Sequence, residues 1–126
     1  MKKCSEVMTK DPFCCLSNDS VEKAAMIMQR ENVGAIPVIE TEHARKLVGI
    51  VTDRDLTLKV IAGGLDPKLT KMNAVMTYNV VTCLADDDLQ KALNAMAEHQ
   101  LRRIPVVNSD NTIVGIIAQA DVATRA

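Results

Sequence analysis

Two polar side chains, Thr52 and Asp55, stand three residues apart directly after an apolar stretch of the chain. If a helix begins there, both lie at its N-terminus, where unpaired N–H groups and partial positive charge favour a phosphate. A threonine hydroxyl can donate to a phosphate oxygen, whereas an ionised carboxylate only accepts and therefore suits a ribose diol. One ligand satisfies both residues only if it carries a sugar diol next to a phosphate. The alternative is that both residues only cap the helix.

The usual arrangements for catalysis or metal binding are missing from the sequence. It contains no P-loop, no HExxH and no GxSxG pattern. His43 and His99 do not complete a finger-like spacing with cysteines. In the acidic run 86–88 a capping box already explains Asp87, and adjacent residues rarely converge on one ion. We therefore predict that the protein is not an enzyme and that it has no metal site and no obligatory cofactor.

Composition narrows the classes of partner. The 126 residues carry 15 basic and 16 acidic side chains without a long basic run, which disfavours nucleic acid and membrane surfaces. Aromatic residues make up 2%, so bases cannot stack on a platform of exposed rings. Apolar runs are far shorter than the ~20 residues of a membrane span, and no secretion signal is evident, so a cytoplasmic location is expected. The four cysteines should then be reduced and mostly buried, with redox sensing at Cys14 and Cys15 as the alternative.

The chain repeats itself. At a shift of 68 positions, Val7-Met8-Thr9 falls on Val75-Met76-Thr77, and Ile36-Pro37-Val38 falls on Ile104-Pro105-Val106. After a polar loop the shift becomes 66, and Asp55 falls on Asp121. A loop absorbs a difference of two residues at little cost, so the change of shift supports the alignment.

Each copy has the same pattern of elements. A short strand (Phe13 to Leu16; Val80 to Leu84) is followed by a helix that a capping box opens, with Asp19 and Glu22 in the first copy and Asp87 and Gln90 in the second. A strand at Ile36-Pro37 or Ile104-Pro105, a polar turn, another strand and a second helix complete the unit, and each proline should lie at a strand start or edge. The first helices should bury one apolar face each, made of Val21, Ala24, Ala25 and Met28, and of Leu89, Ala92, Leu93 and Met96. Three strands cannot bury their own apolar face, so we predict two β-α-β-β-α repeats of an α/β (α+β) fold, packed about a pseudo-twofold axis.

The ordered set of motifs, occurring twice, resembles a tandem pair of cystathionine-β-synthase (CBS) domains, a Bateman module. The markers are Val-Met-Thr at the start of each copy, 34–38 and 49–56 in the first copy, and 102–106 and 115–122 in the second. The resemblance divides the chain into a repeat at 1–64, a linker or helix at 65–74 and a repeat at 75–126. It implies clefts for adenosine-containing ligands and the pairing of two modules into a homodimer.

The resemblance also implies which residues contact the ligand. The base would lie against Ala35, Ile36 and Pro37, with backbone groups near Phe13 reading its edge. Small residues there would let a flat ring approach the chain closely, although a turn that needs small residues is an equal alternative. The implied contacts are Thr9, Phe13, Ala35, Ile36, Pro37, Thr52, Arg54, Asp55, Val81, Arg103, Ile104, Pro105 and Asp121.

The second copy departs from this pattern. Ala118 replaces the hydroxyl that Thr52 supplies, while Asp121 is kept, and Arg103 stands where the first copy has Ala35. Loss of one charge-assisted contact costs about 1.5–3 kcal/mol. We therefore expect the first copy to bind a phosphorylated adenosine better, unless Arg102 and Arg103 supply the missing positive charge.

These observations predict a regulatory module that binds an adenine nucleotide of the AMP or ATP class and relays its occupancy to a separate effector protein. One alternative ligand is S-adenosylmethionine or NAD(H). The alternative function is a ligand-independent interaction module whose apolar helices dimerise.

Overall fold

The computed structural model describes the backbone of residues 2–125 and the side chains of residues 2–122. The chain folds into two compact units. The central unit is Phe13–Val80, and the terminal unit joins the residues up to Pro12 with those from Val81 onward. The Val-Met-Thr segment that begins each sequence copy therefore belongs to the unit that holds the strands of the other copy.

Short strands and helices are interspersed along the chain. In order, the elements are α1 (Cys4–Val7), β1 (Thr9–Lys10), β2 (Cys15–Leu16), α2 (Val21–Glu31), β3 (Ala35–Ile39), β4 (Leu47–Thr52), α3 (Asp53–Asp55) with a π-helical continuation (Leu56–Ile61), α4 (Met72–Val75), β5 (Cys83–Leu84), α5 (Leu89–Glu98), β6 (Arg103–Val107), β7 (Ile113–Ala118) and α6 (Gln119–Arg125). Within the described residues, no helix is both long and apolar enough to cross a bilayer.

The two sheets repeat the same register. The central unit has strand order β2-β3-β4 and the terminal unit has β1-β7-β6-β5. Ala35 lies opposite Thr52 in one hairpin, and Arg103 lies opposite Ala118 in the other. Both hairpins are also irregular at the equivalent place, after Val38 and after Val106. The predicted mixed fold with two small sheets flanked by helices is confirmed.

The first helix of each copy starts one residue later than predicted. Ser20 caps α2 by accepting a 3.2 Å hydrogen bond from the Lys23 amide, and Asp88 caps α5. The predicted cap, Asp19, instead accepts a 2.8 Å bond from the Leu16 amide. The capping boxes of Asp19 and Asp87 were therefore wrong, because these carboxylates close the turn before the helix rather than the helix itself.

Two further details differ from prediction. The strands at Cys15 and Cys83 are only two residues long, which is shorter than expected. In α2, Ile27 is buried while Ala25 is exposed, so the buried stripe is narrower than the predicted face. In α5, Leu89, Ala92 and Met96 are buried as predicted, and Leu93 is only partly buried.

The prolines lie inside strands rather than at their ends. Pro37 lies in β3, the middle strand of its sheet, opposite Ile50. Ile50 exchanges its backbone hydrogen bonds of 3.1 and 3.0 Å with Thr77 on its other side. β2 reaches only the last two residues of β3. The missing N–H of Pro37 therefore breaks no ladder bond, and the expectation of a strand start or edge was wrong.

The Val-Met-Thr motif covers a glycine in a neighbouring strand. A Cβ on Gly49 would lie 2.6 Å from the Met76 sulfur and 3.1 Å from the Thr77 carbonyl oxygen. In the terminal unit, a Cβ on Gly115 would likewise collide with the sulfur of Met8. A side chain at either glycine would displace the methionine that packs over it. This explains why the methionine and the glycine recur together in the two copies.

Three of the four cysteines lie in the cores. Cys4, Cys15 and Cys83 are buried, Cys14 is partly buried, and all four are free thiols. Burial raises the pKa of Cys15 to about 11, with a smaller contribution from Asp19. Cys14 lies 3.5 Å from an Arg45 nitrogen, but burial dominates and raises its pKa as well. The thiols thus behave as small apolar core groups at neutral pH.

The buried Cys15 thiol should make the protein less stable in alkali. Its folded pKa of about 11 lies above the ordinary thiol value of 9.0, so its contribution is complete below pH 9 and is lost as the pH rises from 9 to 11. We expect Cys15 to account for a loss of about 1 kcal/mol at pH 10. Urea denaturation at pH 8 and pH 10 should show a smaller loss for Cys15→Ala than for the unaltered chain. Equal losses would contradict the expectation.

Candidate functional site

The junction of β4 and α3 carries the residue pair that the sequence singled out. Thr52 caps α3: its hydroxyl accepts a 3.2 Å bond from the Asp55 amide and lies 3.1 Å from Asp55 Oδ2. The Thr52 amide donates a 2.9 Å bond to the same Oδ2. Thr52 and Asp55 therefore form a complete capping box, and the capping alternative describes their contacts in this structure.

The amides at the start of α3 already have partners. The Asp53 amide donates to the Gly34 carbonyl at 2.9 Å, and the Arg54 amide donates to Asp53 Oδ1 at 2.8 Å. With the Asp55 amide bound to Thr52, the expectation of several unpaired N–H groups was wrong for these three residues. The preceding turn and the polar side chains of 52–55 satisfy these donors, so a phosphate here has to be held mainly by side chains.

Asp55 has a third partner that sequence analysis missed. Lys59 Nζ lies 3.2 Å from Asp55 Oδ1 and donates a 2.8 Å bond to the Val75 carbonyl oxygen. The Asp55 side chain is 16% exposed and that of Lys59 is 46% exposed. The i, i+4 spacing of Asp55 and Lys59 is the signal that could have identified the pair. No residue pattern could have revealed the bond to Val75.

Of the residues expected to face a base, Ala35 lies beside this junction. Ala35 pairs with Thr52 across the hairpin, but the side chains of Ala35, Ile36 and Pro37 are all buried in the core. Only their backbone could contact a ring. Phe13 is 49% exposed, and the Arg30 guanidinium lies 5.7 Å from its ring centre.

Arg54 is an exposed cation at this junction. It follows Thr52 by two positions and belongs to the same helical turn. The central unit therefore brings the backbone of Ala35 together with Thr52, Arg54 and Asp55 at the open end of the β3–β4 hairpin.

The terminal unit repeats the scaffold without the hydroxyl. The Gln119 amide donates to the Arg102 carbonyl at 2.8 Å, as Asp53 does to Gly34. Ala118 replaces the capping threonine, and Asp121 lies in the first turn of α6. The remaining predicted contacts of this unit lie in or next to strands: Thr9 in β1, Val81 before β5, and Arg103, Ile104 and Pro105 in β6.

Neither a metal cluster among the described residues nor the cavity beside the end of β6 adds to this site. Among the described residues, no group of three or more His, Cys, Asp or Glu side chains is placed to hold a metal ion. An open cavity of about 370 Å³ is lined by Leu84–Asp86 and Val107–Asp110. It lies at the opposite end of β6 from Arg103, and none of the predicted ligand contacts lines it.

Known proteins match the whole of this scaffold. The family model described as CBS domain matches residues 4–61 and again 72–126. YlbB of Bacillus subtilis is 42% identical over 98% of this chain and 81% of its own length. Hypoxic response protein 1 of Mycobacterium tuberculosis is 32% identical over 98% of this chain and 84% of its own length.

Solved structures also match this chain over nearly its whole length. A crystal structure of hypoxic response protein I with two coordinated zinc ions superposes with a TM-score of 0.87 at 31% identity, covering 99% of both chains. A CBS domain pair in complex with 5′-methylthioadenosine and S-adenosyl-L-methionine also superposes with a TM-score of 0.87. That pair is 27% identical, and the match covers 98% of this chain and 94% of the other.

Proposed function

The chain belongs to the CBS domain family, and on this premise we propose that it is a regulatory module that binds an adenosine-containing nucleotide of the AMP or ATP class. The module would pass the occupancy of its site to a separate protein. The observation that carries the proposal is the Thr52–Asp55 pair, together with the exposed Arg54 beside it. A solved relative in complex with two adenosine-containing ligands supports the same ligand class.

The hydrogen bonds of Asp55 limit how it can bind a sugar. Its carboxylate has about four acceptor positions. The Thr52 amide, the Thr52 hydroxyl and Lys59 use three of them. Both hydroxyls of a ribose can bind Asp55 only if one of these partners leaves. The Thr52 hydroxyl is the partner that can leave most easily, because it rotates about one bond.

Rotation of the Thr52 hydroxyl would couple the binding of the phosphate to the binding of the ribose. The hydroxyl has a single proton, which points to Asp55 in the capped state. When that proton turns to a phosphate oxygen, it frees an acceptor position on Asp55 for the ribose. Phosphate and diol therefore support each other's binding, and Arg54 adds positive charge on the phosphate side. This linkage favours a nucleotide over an unphosphorylated nucleoside in the first copy.

Binding of such a ligand provides enough free energy for regulation. At one hundred times its dissociation constant, a ligand stabilises the state that binds it by about 2.7 kcal/mol. That shifts a two-state equilibrium roughly a hundredfold. The module then acts by changing the population of a conformation or assembly that its partner recognises, and no chemical step is required.

A thermal denaturation series with AMP, ATP, adenosine, NADH and S-adenosylmethionine at millimolar concentration tests the proposal. We expect AMP or ATP to raise the Tm by roughly 10 °C at saturation, given about 2.7 kcal/mol and the size of the chain. Adenosine should give a smaller shift, because it cannot draw the Thr52 hydroxyl away from Asp55. No shift with any of the five compounds would overturn the proposal.

One observation favours a second candidate, a homodimeric interaction module that needs no ligand. Exposed apolar side chains follow Asp55 along the π-helix and the loop after it, including Leu58 at 52%, Ile61 at 76% and Leu69 at 79% exposure. Apolar groups this exposed are often covered by a partner. A dimer in analytical ultracentrifugation together with no ligand shift would favour this candidate. A larger shift with S-adenosylmethionine than with AMP would instead change the ligand.

A further inference from the structure

The Lys59 ammonium connects two elements that are far apart in the sequence of the central unit. It contacts Asp55 Oδ1 at 3.2 Å and the Val75 carbonyl oxygen at 2.8 Å. Asp55 belongs to the proposed ligand site, whereas Val75 is the last residue of α4. An ammonium group has three N–H donors, so it can hold both partners at once.

The Val75 carbonyl is a point where α4 needs an external partner. Carbonyls in the last turn of a helix have no partner within the helix and carry partial negative charge. α4 is only four residues long and is closed by a 2.9 Å bond from the Met76 amide to the Met72 carbonyl. A cation at Val75 therefore stabilises a helix that has few hydrogen bonds of its own.

The position of that cation depends on the charge of Asp55. A Lys side chain has many rotamers, and the ion pair with Asp55 restricts them. A ligand over Asp55 would also exclude water from the pair, and attraction between charges increases as the surrounding dielectric falls. Occupancy of the site should therefore hold Lys59 more firmly on Val75 and make α4 open less often.

We propose that Lys59 is a positioning residue that couples the Asp55 carboxylate to α4 and thereby reports ligand occupancy to the segment 72–77. That segment precedes Val81, where the chain enters the terminal unit. The part of this inference that concerns a ligand rests on the proposed function. The part that concerns the charge of Asp55 does not.

The chain offers a matched control for this pair. Lys23 and Asp19 also stand four residues apart with 3.2 Å between Nζ and a carboxylate oxygen. Their side chains are 53% and 21% exposed, close to the 46% and 16% of Lys59 and Asp55. The Lys23 pair lies at the start of α2 and meets the first residue of α4, through a 2.9 Å bond from the Met72 amide to the Asp19 carbonyl, and not the Val75 carbonyl that Lys59 binds. Lys23→Met therefore removes a similar ion pair without touching the proposed link.

The first test uses hydrogen exchange of the full chain without nucleotide. The reporters are the amides of Met76 and Thr77, which bond to Met72 and Ile50. Asp55→Asn should speed their exchange about three- to tenfold, the size expected when the net contribution of one ordinary, partly exposed hydrogen bond is lost. In a Lys59→Met background the same substitution should add nothing. Lys59→Arg should restore the dependence, and Arg125 stands at the equivalent position of the second copy.

Two results of this cycle would overturn the coupling. One is that the effects of Asp55→Asn and Lys59→Met on Met76 and Thr77 are additive. The other is that Lys23→Met speeds exchange at these two amides as much as Lys59→Met does. A general loss of stability in Lys59→Met would speed exchange everywhere, so the amide of Met8, in the terminal unit, serves as the reference.

The second test adds saturating AMP. Exchange at Met76 and Thr77 should slow in the unaltered chain and stay unchanged in Lys59→Met, although AMP still raises the Tm of both. Slowing in both chains would mean that the signal does not pass through Lys59. If AMP changes neither Tm nor exchange, the proposed function fails, and the cycle without nucleotide still decides whether Lys59 couples Asp55 to α4.

Discussion

Asp55→Ala should abolish the Tm shift caused by AMP. The substitution removes the Asp55 carboxylate that would accept from the ribose hydroxyls. It also leaves the Thr52 hydroxyl without its present acceptor. The unliganded protein should also lose about 1–2 kcal/mol, because half of the capping box disappears. Thermal denaturation with and without AMP separates the two effects. If Asp55 only caps α3, the Tm falls by the same amount in both conditions, and the AMP shift survives.

Asp121→Ala is the matched control for this variant. Asp121 occupies the equivalent place in the second copy, where Ala118 supplies no hydroxyl to bind a phosphate. We expect Asp121→Ala to keep most of the AMP shift that Asp55→Ala loses. Retention of the full shift in Asp55→Ala together with its loss in Asp121→Ala would reverse the predicted asymmetry and assign the nucleotide to the second copy.

Much of the fold could be predicted from the sequence, because the repeat and the types of neighbouring residues indicate it. The repeat with shifts of 68 and 66 placed Ala35 and Arg103 at equivalent positions, and the hairpin registers confirm this. The hydroxyl and carboxylate at 52 and 55 also marked the start of α3 correctly. Such features depend on residues that are close along the chain, so the sequence carries their signal directly.

Contacts between distant segments left no comparable signal. The Val-Met-Thr of each copy packs on a glycine of the other copy, with Met8 over Gly115 and Met76 over Gly49. A sequence repeat shows that two segments are alike, but it does not show whether each packs on its own copy or on the other. The bond of Lys59 to Val75 was invisible for the same reason. Cap positions failed for a smaller reason, since Asp19 and Ser20 are adjacent and either can accept from the helix.

The packing of each Val-Met-Thr segment against the other sequence copy bears on how a ligand site at the start of α3 could signal. The site lies at the start of α3, in a unit whose core also contains Met72, Val75 and Met76. Val75 and Met76 begin the second sequence copy, which continues into the terminal unit at Val81, and Met72 lies in the linker just before it. A change in how firmly α4 is held would thus act on one of the two places where the chain passes between the units.

Met72→Ala should destabilise the central unit by about 2–5 kcal/mol, since it removes a large side chain from a packed core. Met72 is fully buried and belongs to the central core cluster, although it lies in the sequence next to the second copy. The expected loss is a large part of the stability of a domain this size. Hydrogen exchange measured by mass spectrometry should show the fastest new exchange in peptides that cover 35–52, and a smaller change in those that cover 103–118.

Met96→Ala is the corresponding variant in the core of the terminal unit. Met96 is 2% exposed and belongs to the core cluster of the terminal unit, so its loss should speed exchange mainly in 103–118. If Met72→Ala instead speeds hydrogen exchange mainly in 103–118, the segment 72–76 packs with its own sequence copy. That result would contradict the packing of this segment in the central unit. If both variants affect both sets of peptides equally, the two units unfold as one cooperative body. A nucleotide bound in the central unit would then stabilise the whole chain rather than one half of it.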